Sequence, residues 1–490
     1  MKNNHNFYHH IEQSLLQNYE QKLLSWNEKE FKGKTILKKI HAYQTLFQGL
    51  QKNSTVIIAV SASPDAFFII LALMAQGLTP VIPPSNVSFI NFIKILQEQK
   101  IKGIVWQKPT LLKKFFGKIL GKIFKINIID VINTIDIIDI KHNPSVTIQE
   151  VLKTQTALIS YSSGSTGKHK AVFRSHQVLL AQHLAIKAVF PPFQDQIDFP
   201  LFPNVLLHNM IVGVPSVMPT IEKFDLQKVN MKIICEQIQK EKISSMTGNV
   251  FYFTKMVQYL QQTPLKLPTV KAIGIGGSPV SEKLVFELKA LFEKATIYVI
   301  YGSSEAEPIA VRNVDDSSYQ WEKPIKGFCV GKVNESLEIK IEPIKQLDSE
   351  LSIENTPKIM GEICVRGNHV ATKDDEEWFR TGDFGYQDEK GILFLTGRKG
   401  NEKVISGVQH YLIEHLLLCT ENIQQVAAIA KETNFDIYVV TNVITDCTKK
   451  EIQEVLYQYF DKNIIGEIFF KATLPTDHRH HSKILYQQLK

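Results

Sequence analysis

Apolar residues follow two rhythms along this chain, and the change between them outlines its architecture. STVIIAVSASPDAFFIILALMAQGLTPVIPP, residues 54–84, runs from a β-branched stretch through a turn into an apolar helix and back to an apolar strand. Such a βαβ unit with unbroken apolar strands predicts a parallel sheet covered on both faces. The grammar returns at Ile101–Trp106, Ala157–Tyr161 and Val270–Ile275, and at Ala295–Ile300 after the helical pattern of SEKLVFELKALFEK. Residues 10–50 carry helical periodicity, with Ile11, Leu15 and Leu16 followed by Leu23 and Leu24. From about Ser336 short alternating segments (LEIKIEPI, GEICVRG, GILFLTG) predict antiparallel pairing. Beyond Gly397 helix and strand patterns mix again, in IEHLLLCT, VAAIAKE, FDIYVVTNVI and KKEIQEVLYQYFDK.

The expected fold is therefore α/β. A large, multi-layered N-terminal domain over residues 1–397 has mixed and parallel sheets and a β-rich part at about 330–397. A small α+β C-terminal domain over 398–490 follows a boundary near Arg398–Gly400.

Composition narrows the class without naming a function. With 490 residues, 44% apolar and 21% charged, the chain is neither collagen-like, nor a disulfide mini-scaffold, nor disordered. A net charge of +7 is too weak on this length to indicate nucleic acid. The 5 cysteines are scattered and never spaced as CxxC, which argues against a disulfide framework and for a reducing compartment. The N-terminus lacks the apolar stretch of a signal peptide, and AFFIILALMA is about half the ~20 residues needed to span a bilayer. A soluble, cytoplasmic protein is expected.

The densest chemical signal is ALISYSSGSTGKHKAV, residues 157–172. After the strand, Ser162, Ser163, Gly164, Ser165, Thr166 and Gly167 lead to Lys168 and Lys170. Glycines let the backbone aim consecutive N–H groups at a ligand, hydroxyls add donors, and lysines add charge, so the composition suits phosphates. A Ser/Gly surface turn is the competing reading. A Walker loop is excluded: only Ser165 and Thr166 separate Gly164 from Gly167, and His169, not a hydroxyl residue, follows Lys168.

YSSGSTGKHK resembles the phosphate loop of the adenylate-forming superfamily of acyl-CoA synthetases, luciferases and adenylation domains, with His169 where proline is usual. Four further segments occur in that family's order: IGIGGSPVS (273–281), IYGSSEAEP (300–308), WFRTGDFGYQDEKGILFLTGR (378–398) and HRHHSKI (478–484). The resemblance implies activation of a carboxylic acid by ATP and Mg²⁺ to an acyl adenylate, with pyrophosphate release and transfer to coenzyme A. It implies that Thr166 and its loop cradle the β- and γ-phosphates, and that Thr166 and Glu305 lie at the metal. Read alone, Glu305 is a helix-start acid capped by Ser303 or Ser304, and the set of five motifs is what assigns it to the metal.

By the same resemblance Tyr301, with Gly302, Ser303 and Ser304 after it, stacks on adenine, and Gly276, Gly277 and Ser278 line the nucleotide and acyl pocket. Asp383 accepts the ribose hydroxyls, and Arg398 adds a ribose or phosphate contact. Read alone, Tyr301 is a core residue and Asp383 an Asx turn. Lys483 is the expected catalytic lysine, although a lysine so near a terminus is by itself a solvated tail residue. His478, His480 and His481 depart from the family's usual pattern, as does Gly400, which stands at the hinge position about which the family's lid rotates.

FPLFPNVLLHNMIVGVPSVMPT (199–220) reads as a buried strand and helix or as part of an apolar acyl pocket, with His208 its one ionisable group. With the basic stretch after VWQKPTLLKKFFGK and the ending PTDHRHHSKI it looks most like the fatty-acyl branch near the olefin-pathway β-lactone synthetases. Those enzymes adenylate a β-hydroxy fatty acid and close a lactone without coenzyme A. A medium- or long-chain fatty acid is the expected substrate, with coenzyme A or an acyl carrier as acceptor. LLKKFFGKILGKIFKI (111–126) interleaves lysines with apolar residues and suits either a solvated helix or peripheral contact with the inner membrane face. A non-catalytic acyl-nucleotide-binding protein is the reading from another class.

Overall fold

The computed structural model describes residues 5–84, 87–107, 119, 121–130, 147–163, 169–316, 324–344, 360–372, 377–442, 444–445, 447–477 and 481–489. The chain divides into two compact units, Met1–Ser162 with His169–Ile243, and Ser163–Lys168 with Ser244–Lys490.

In the first unit, Thr55–Ala59 pairs in parallel with Thr79–Val81 on one side and Ile101–Trp106 on the other. Asn127–Asp130 extends the sheet beyond Ile101–Trp106, and Thr156–Ser163 and His169–Ser175 extend it beyond Thr79–Val81. The helix Pro64–Ala75 crosses over between two of these strands. Ser63 caps it through its hydroxyl, which accepts from the Ala66 N–H, while Pro64 and Asp65 occupy its first turn. Its apolar residues are buried among the helices Tyr8–Gln17 and Gly33–Phe47, so it is a core element as its composition predicts. Among the described residues, no helix is long and apolar enough to cross a membrane.

The helical reading of residues 10–50 needs one correction. Leu23 and Leu24 lie in a strand, Lys22–Trp26, that turns back onto Lys29–Lys32. Asn27 and Glu28 at the turn both have positive φ (47° and 65°), the geometry of a two-residue hairpin that matches strand twist. Two adjacent leucines fit either period, so the turn decides.

His176 heads the helix His176–Val189 and is buried, its Nδ1 accepting the Phe7 N–H at 3.0 Å. Burial pushes its pKa from an ordinary 6.5 down to about 4. The unfolded chain therefore takes up a proton below pH 6.5 that the folded chain refuses until about pH 4. Stability is fully present above pH 6.5 and declines as the pH falls towards 4; at pH 5 this histidine alone costs about 2 kcal/mol. Urea unfolding at pH 7 and pH 5 is expected to show a smaller pH effect in His176→Asn than in the parent. Equal pH effects would remove His176 as a cause.

In the second unit Ser245–Asn249, Ala272–Gly276 and Thr296–Tyr301 are parallel neighbours. From Thr296–Tyr301 the pairing turns antiparallel, through Ala310–Asn313, Phe328–Val333, Ile392–Arg398, Phe379–Gln387, Gly361–Gly367 and Leu337–Pro343. The antiparallel pairing after Ser336 is the one that the alternating pattern predicts. Further along, Phe435–Thr441 lies between Ile423–Ala430, antiparallel, and Ile465–Phe470, parallel. With the helices His410–Leu418 and Thr448–Tyr457 these strands enclose a core of Val408, Leu412, Leu416, Phe435, Leu456 and their neighbours. The mixed α/β architecture agrees with the sequence reading.

Candidate active site

A cavity of about 340 Å³ opens in the second unit, at the carboxyl ends of parallel strands where open α/β sheets bind ligands. Gly276 ends one strand opposite Ile300, so close that a β-carbon there would lie 2.3 Å from the Ile300 carbonyl oxygen. Only glycine fits that approach. Gly277 and Ser278 follow and line the cavity, and the Ser278 hydroxyl is buried with no hydrogen-bond partner among the described residues.

Tyr301 and Gly302 end the next strand and line the same cavity. The following residues form a tight turn and not a helix: the Ser303 N–H donates to the Ala306 carbonyl at 2.8 Å, and the Ala306 N–H returns to Ser303. The helix-start reading of Glu305 is therefore replaced. Glu305 is buried in the turn, its carbonyl accepting the Ala371 N–H at 2.7 Å. Ser303, Ser304 and Glu305 adjoin the cavity-lining Gly302 in the chain without themselves being among the lining residues.

Asp383 and Arg398 face each other across the strands Phe379–Gln387 and Ile392–Arg398. One Asp383 oxygen takes the Arg398 guanidinium at 2.5 Å, and the other accepts the Tyr301 hydroxyl at 2.9 Å. The Asp383 carboxylate holds the Arg398 pKa above its ordinary value against the opposing effect of burial. Burial first, then the charge of Asp383, pushes the Tyr301 phenol well above 10, so that Tyr301 stays a donor at neutral pH. Asp383 thus sits in a strand with a fixed orientation, not in the Asx turn that its local sequence allows. Each of its oxygens retains a lone pair for a further donor.

Lys483 reaches the same cavity from the far end of the chain. Asp477 clasps its loop: the Lys483 N–H donates to the Asp477 carboxylate at 3.0 Å, and the Asp477 N–H donates to the Lys483 carbonyl at 2.9 Å. Thr476 and Ile484 close the base as an isolated bridge. His481 takes φ of 51° and places its ring 5.5 Å from that of Phe251. His478 and His480 lie outside the described residues.

The structure thus brings Gly277, Ser278, Tyr301, Gly302, Asp383, Arg398 and Lys483 to one cavity. Gly164, Ser165, Thr166, Gly167 and Lys168 lie outside the described residues, as do the Ser163 side chain and most of the basic stretch 111–126. Ser162 and Lys170 belong to the first unit, the Ser162 hydroxyl directed at the Lys170 carbonyl (3.5 Å) and Lys170 exposed. His208 also belongs to that unit, buried on the helix Pro203–Val212 with its Nδ1 3.0 Å from Nδ1 of His183. Burial lowers the pKa of both imidazoles, so the pair is neutral and shares one proton between the facing nitrogens.

Residues 44–373 match the family described as AMP-binding enzyme. The chain belongs to that family. The adenylate-forming superfamily read from the five motifs is the one found, and the AMP-binding enzyme is accordingly an acyl-adenylate-forming one. It is 24% identical over 475 residues to 4-coumarate–CoA ligase 1 of Petroselinum crispum, covering 87% of this chain and 82% of that protein. It is 26% identical over 272 residues to the olefin β-lactone synthetase of Stenotrophomonas maltophilia, covering 50% of this chain and 48% of the relative. In fold it matches O-succinylbenzoate coenzyme A synthetase of Bacillus subtilis, solved in complex with ATP and a magnesium ion. The TM-score is 0.78 at 18% identity, over 98% of both chains.

Several lining residues of this AMP-binding enzyme escape sequence reasoning. Tyr411, Glu414 and Tyr486 reach the cavity beside Arg398, and Asp477 fixes Lys483. The spacing of His410 and Glu414 at i and i+4 on a helix was the one available signal.

Proposed function

We propose that this AMP-binding enzyme uses Mg·ATP to activate a medium- or long-chain fatty acid as its acyl adenylate, releases pyrophosphate, and passes the acyl group to coenzyme A. The observation that carries the reading is Lys483 at the cavity that Tyr301, Asp383 and Arg398 line. Asp383, oriented by Arg398 and Tyr301, accepts the ribose hydroxyls. The Lys483 ammonium offsets the negative charge that gathers as carboxylate meets α-phosphate. Ser278, whose buried hydroxyl awaits a partner, and the glycine approach at Gly276 suit a ligand laid along the strand ends. Glu305, with Thr166, would hold the magnesium ion, which neutralises phosphate charge when bound. Val250, Phe251, Val280 and Val330 give the cavity apolar walls in keeping with an acyl chain. Residues 398–490 act as a mobile lid that carries Lys483.

Likeness to an olefin β-lactone synthetase favours a second reading, in which a β-hydroxy fatty acid closes on itself after adenylation. Pyrophosphate release over a panel of fatty, β-hydroxy fatty and aromatic acids is expected to be fastest with an aliphatic chain. Analysis of the product with coenzyme A present separates thioester from lactone. Preference for an aromatic acid would overturn the substrate class, and absence of pyrophosphate exchange with every acid would return the chain to a binding role.

A further inference from the structure

We propose that His410, Glu414 and Tyr486 are positioning residues: a buried hydrogen-bonded strut that ties the Arg398 backbone to the segment carrying Lys483. His410 is 0%, Glu414 3% and Tyr486 8% exposed. The Arg398 N–H donates to His410 Nε2 at 2.9 Å, which makes that nitrogen the acceptor and assigns the ring proton to Nδ1. Nδ1 then donates to Glu414 Oε1 at 2.9 Å, an oxygen that also accepts the Ala428 N–H at 3.0 Å. The second carboxylate oxygen accepts the Tyr486 hydroxyl at 2.9 Å. The Tyr486 ring meets the His410 ring edge-on at 4.8 Å, which fixes the imidazole in the plane that both bonds require.

A carboxylate withdrawn from water is tolerated only when its lone pairs are taken up, and here three donors from three separate stretches converge on it. The two ends of the strut carry its meaning. At one end Arg398 grips Asp383, which in turn accepts from Tyr301. At the other, Tyr486 follows Lys483 by three residues, and the Lys483 loop is clasped by Asp477. Hydrogen bonds from Asp383 through Arg398, His410 and Glu414 to Tyr486, and then three residues of main chain, therefore connect the carboxylate proposed to hold ribose with the lysine proposed to meet the reacting carboxylate. The strut acts through Arg398 and the segment that carries Lys483.

This inference rests on the proposed adenylation, so its test pairs an activity with a measurement independent of activity. Tyr486→Phe deletes one hydroxyl and nothing else; His410→Leu deletes both imidazole bonds. In the full-length protein, kcat for pyrophosphate exchange into ATP is expected to fall about tenfold in each, with KM for ATP within about twofold. The double variant should be little worse than either single one, as for groups acting as a unit. Hydrogen–deuterium exchange supplies the second arm: Tyr486→Phe should speed exchange at the Arg398 amide, whose hydrogen bond goes to His410 and not to Tyr486. An unchanged Arg398 amide in Tyr486→Phe, or additive losses in the double variant, would overturn the strut. Accelerated exchange in a protein that adenylates no acid would keep the strut and overturn the function.

Discussion

Lys483→Ala is expected to lower pyrophosphate exchange into ATP by about 100- to 1,000-fold while changing ATP affinity little. The acid and the α-phosphate are both anions, and the charge they share is greatest midway through their union. A cation aimed at that point stabilises the transition state more than either bound reactant, so its loss falls on kcat. The ammonium is well placed for this because Asp477 and the Thr476–Ile484 bridge hold its loop from within. Lys483→Arg would keep the charge but spread it over a planar group of another length, and only partial recovery is expected. Exchange kinetics and calorimetric titration with ATP together check the result. A variant that exchanges pyrophosphate at the parental rate would remove Lys483 from the chemistry.

The second large effect is expected at Asp383. Removing its carboxylate in Asp383→Ala strands the Arg398 guanidinium, 26% exposed in its side chain, without its counter-charge, and leaves the Tyr301 hydroxyl without its acceptor. A broken, largely buried pair of this kind costs about 2–4 kcal/mol of folding stability. Asp383→Asn keeps an oxygen for Tyr301 and the same shape, so it should destabilise less. Both should weaken AMP binding, since neither offers a charged acceptor to the ribose. Urea unfolding separates the two variants, and equal stability in both would contradict the importance assigned to the ion pair.

Much of this molecule is legible from its residues. The strand–helix–strand run from Thr55 to Val81 is readable because continuous apolar stretches of unequal length, broken by Ser-Pro-Asp, leave few alternatives. Leu23 and Leu24 are not, because a hairpin there depends on two left-handed residues, Asn27 and Glu28, of which the second gives no warning. Tyr301, Asp383, Arg398 and Lys483 are found through motifs, yet the bonds from Asp383 to Tyr301 and Arg398 are not, since a side chain's partners depend on which strands become neighbours. Glu414 and Tyr486 are 72 residues apart, and no local pattern announces a bond over that distance.

Gly400 bears on what the proposed lid can do. Its φ is 95°, and a β-carbon there would meet nothing nearer than the Gln487 side-chain nitrogen at 3.9 Å. Space is free and only the backbone dihedral forbids a side chain. An L-residue at this position would pay about 1–3 kcal/mol in the present arrangement and nothing in one where φ turns negative. A single methyl group would then redistribute the two arrangements by roughly 5- to 150-fold without touching either substrate. Glycine leaves this dihedral unbiased, so in the proposed lid the occupancy of each arrangement would pass to whichever ligand is bound.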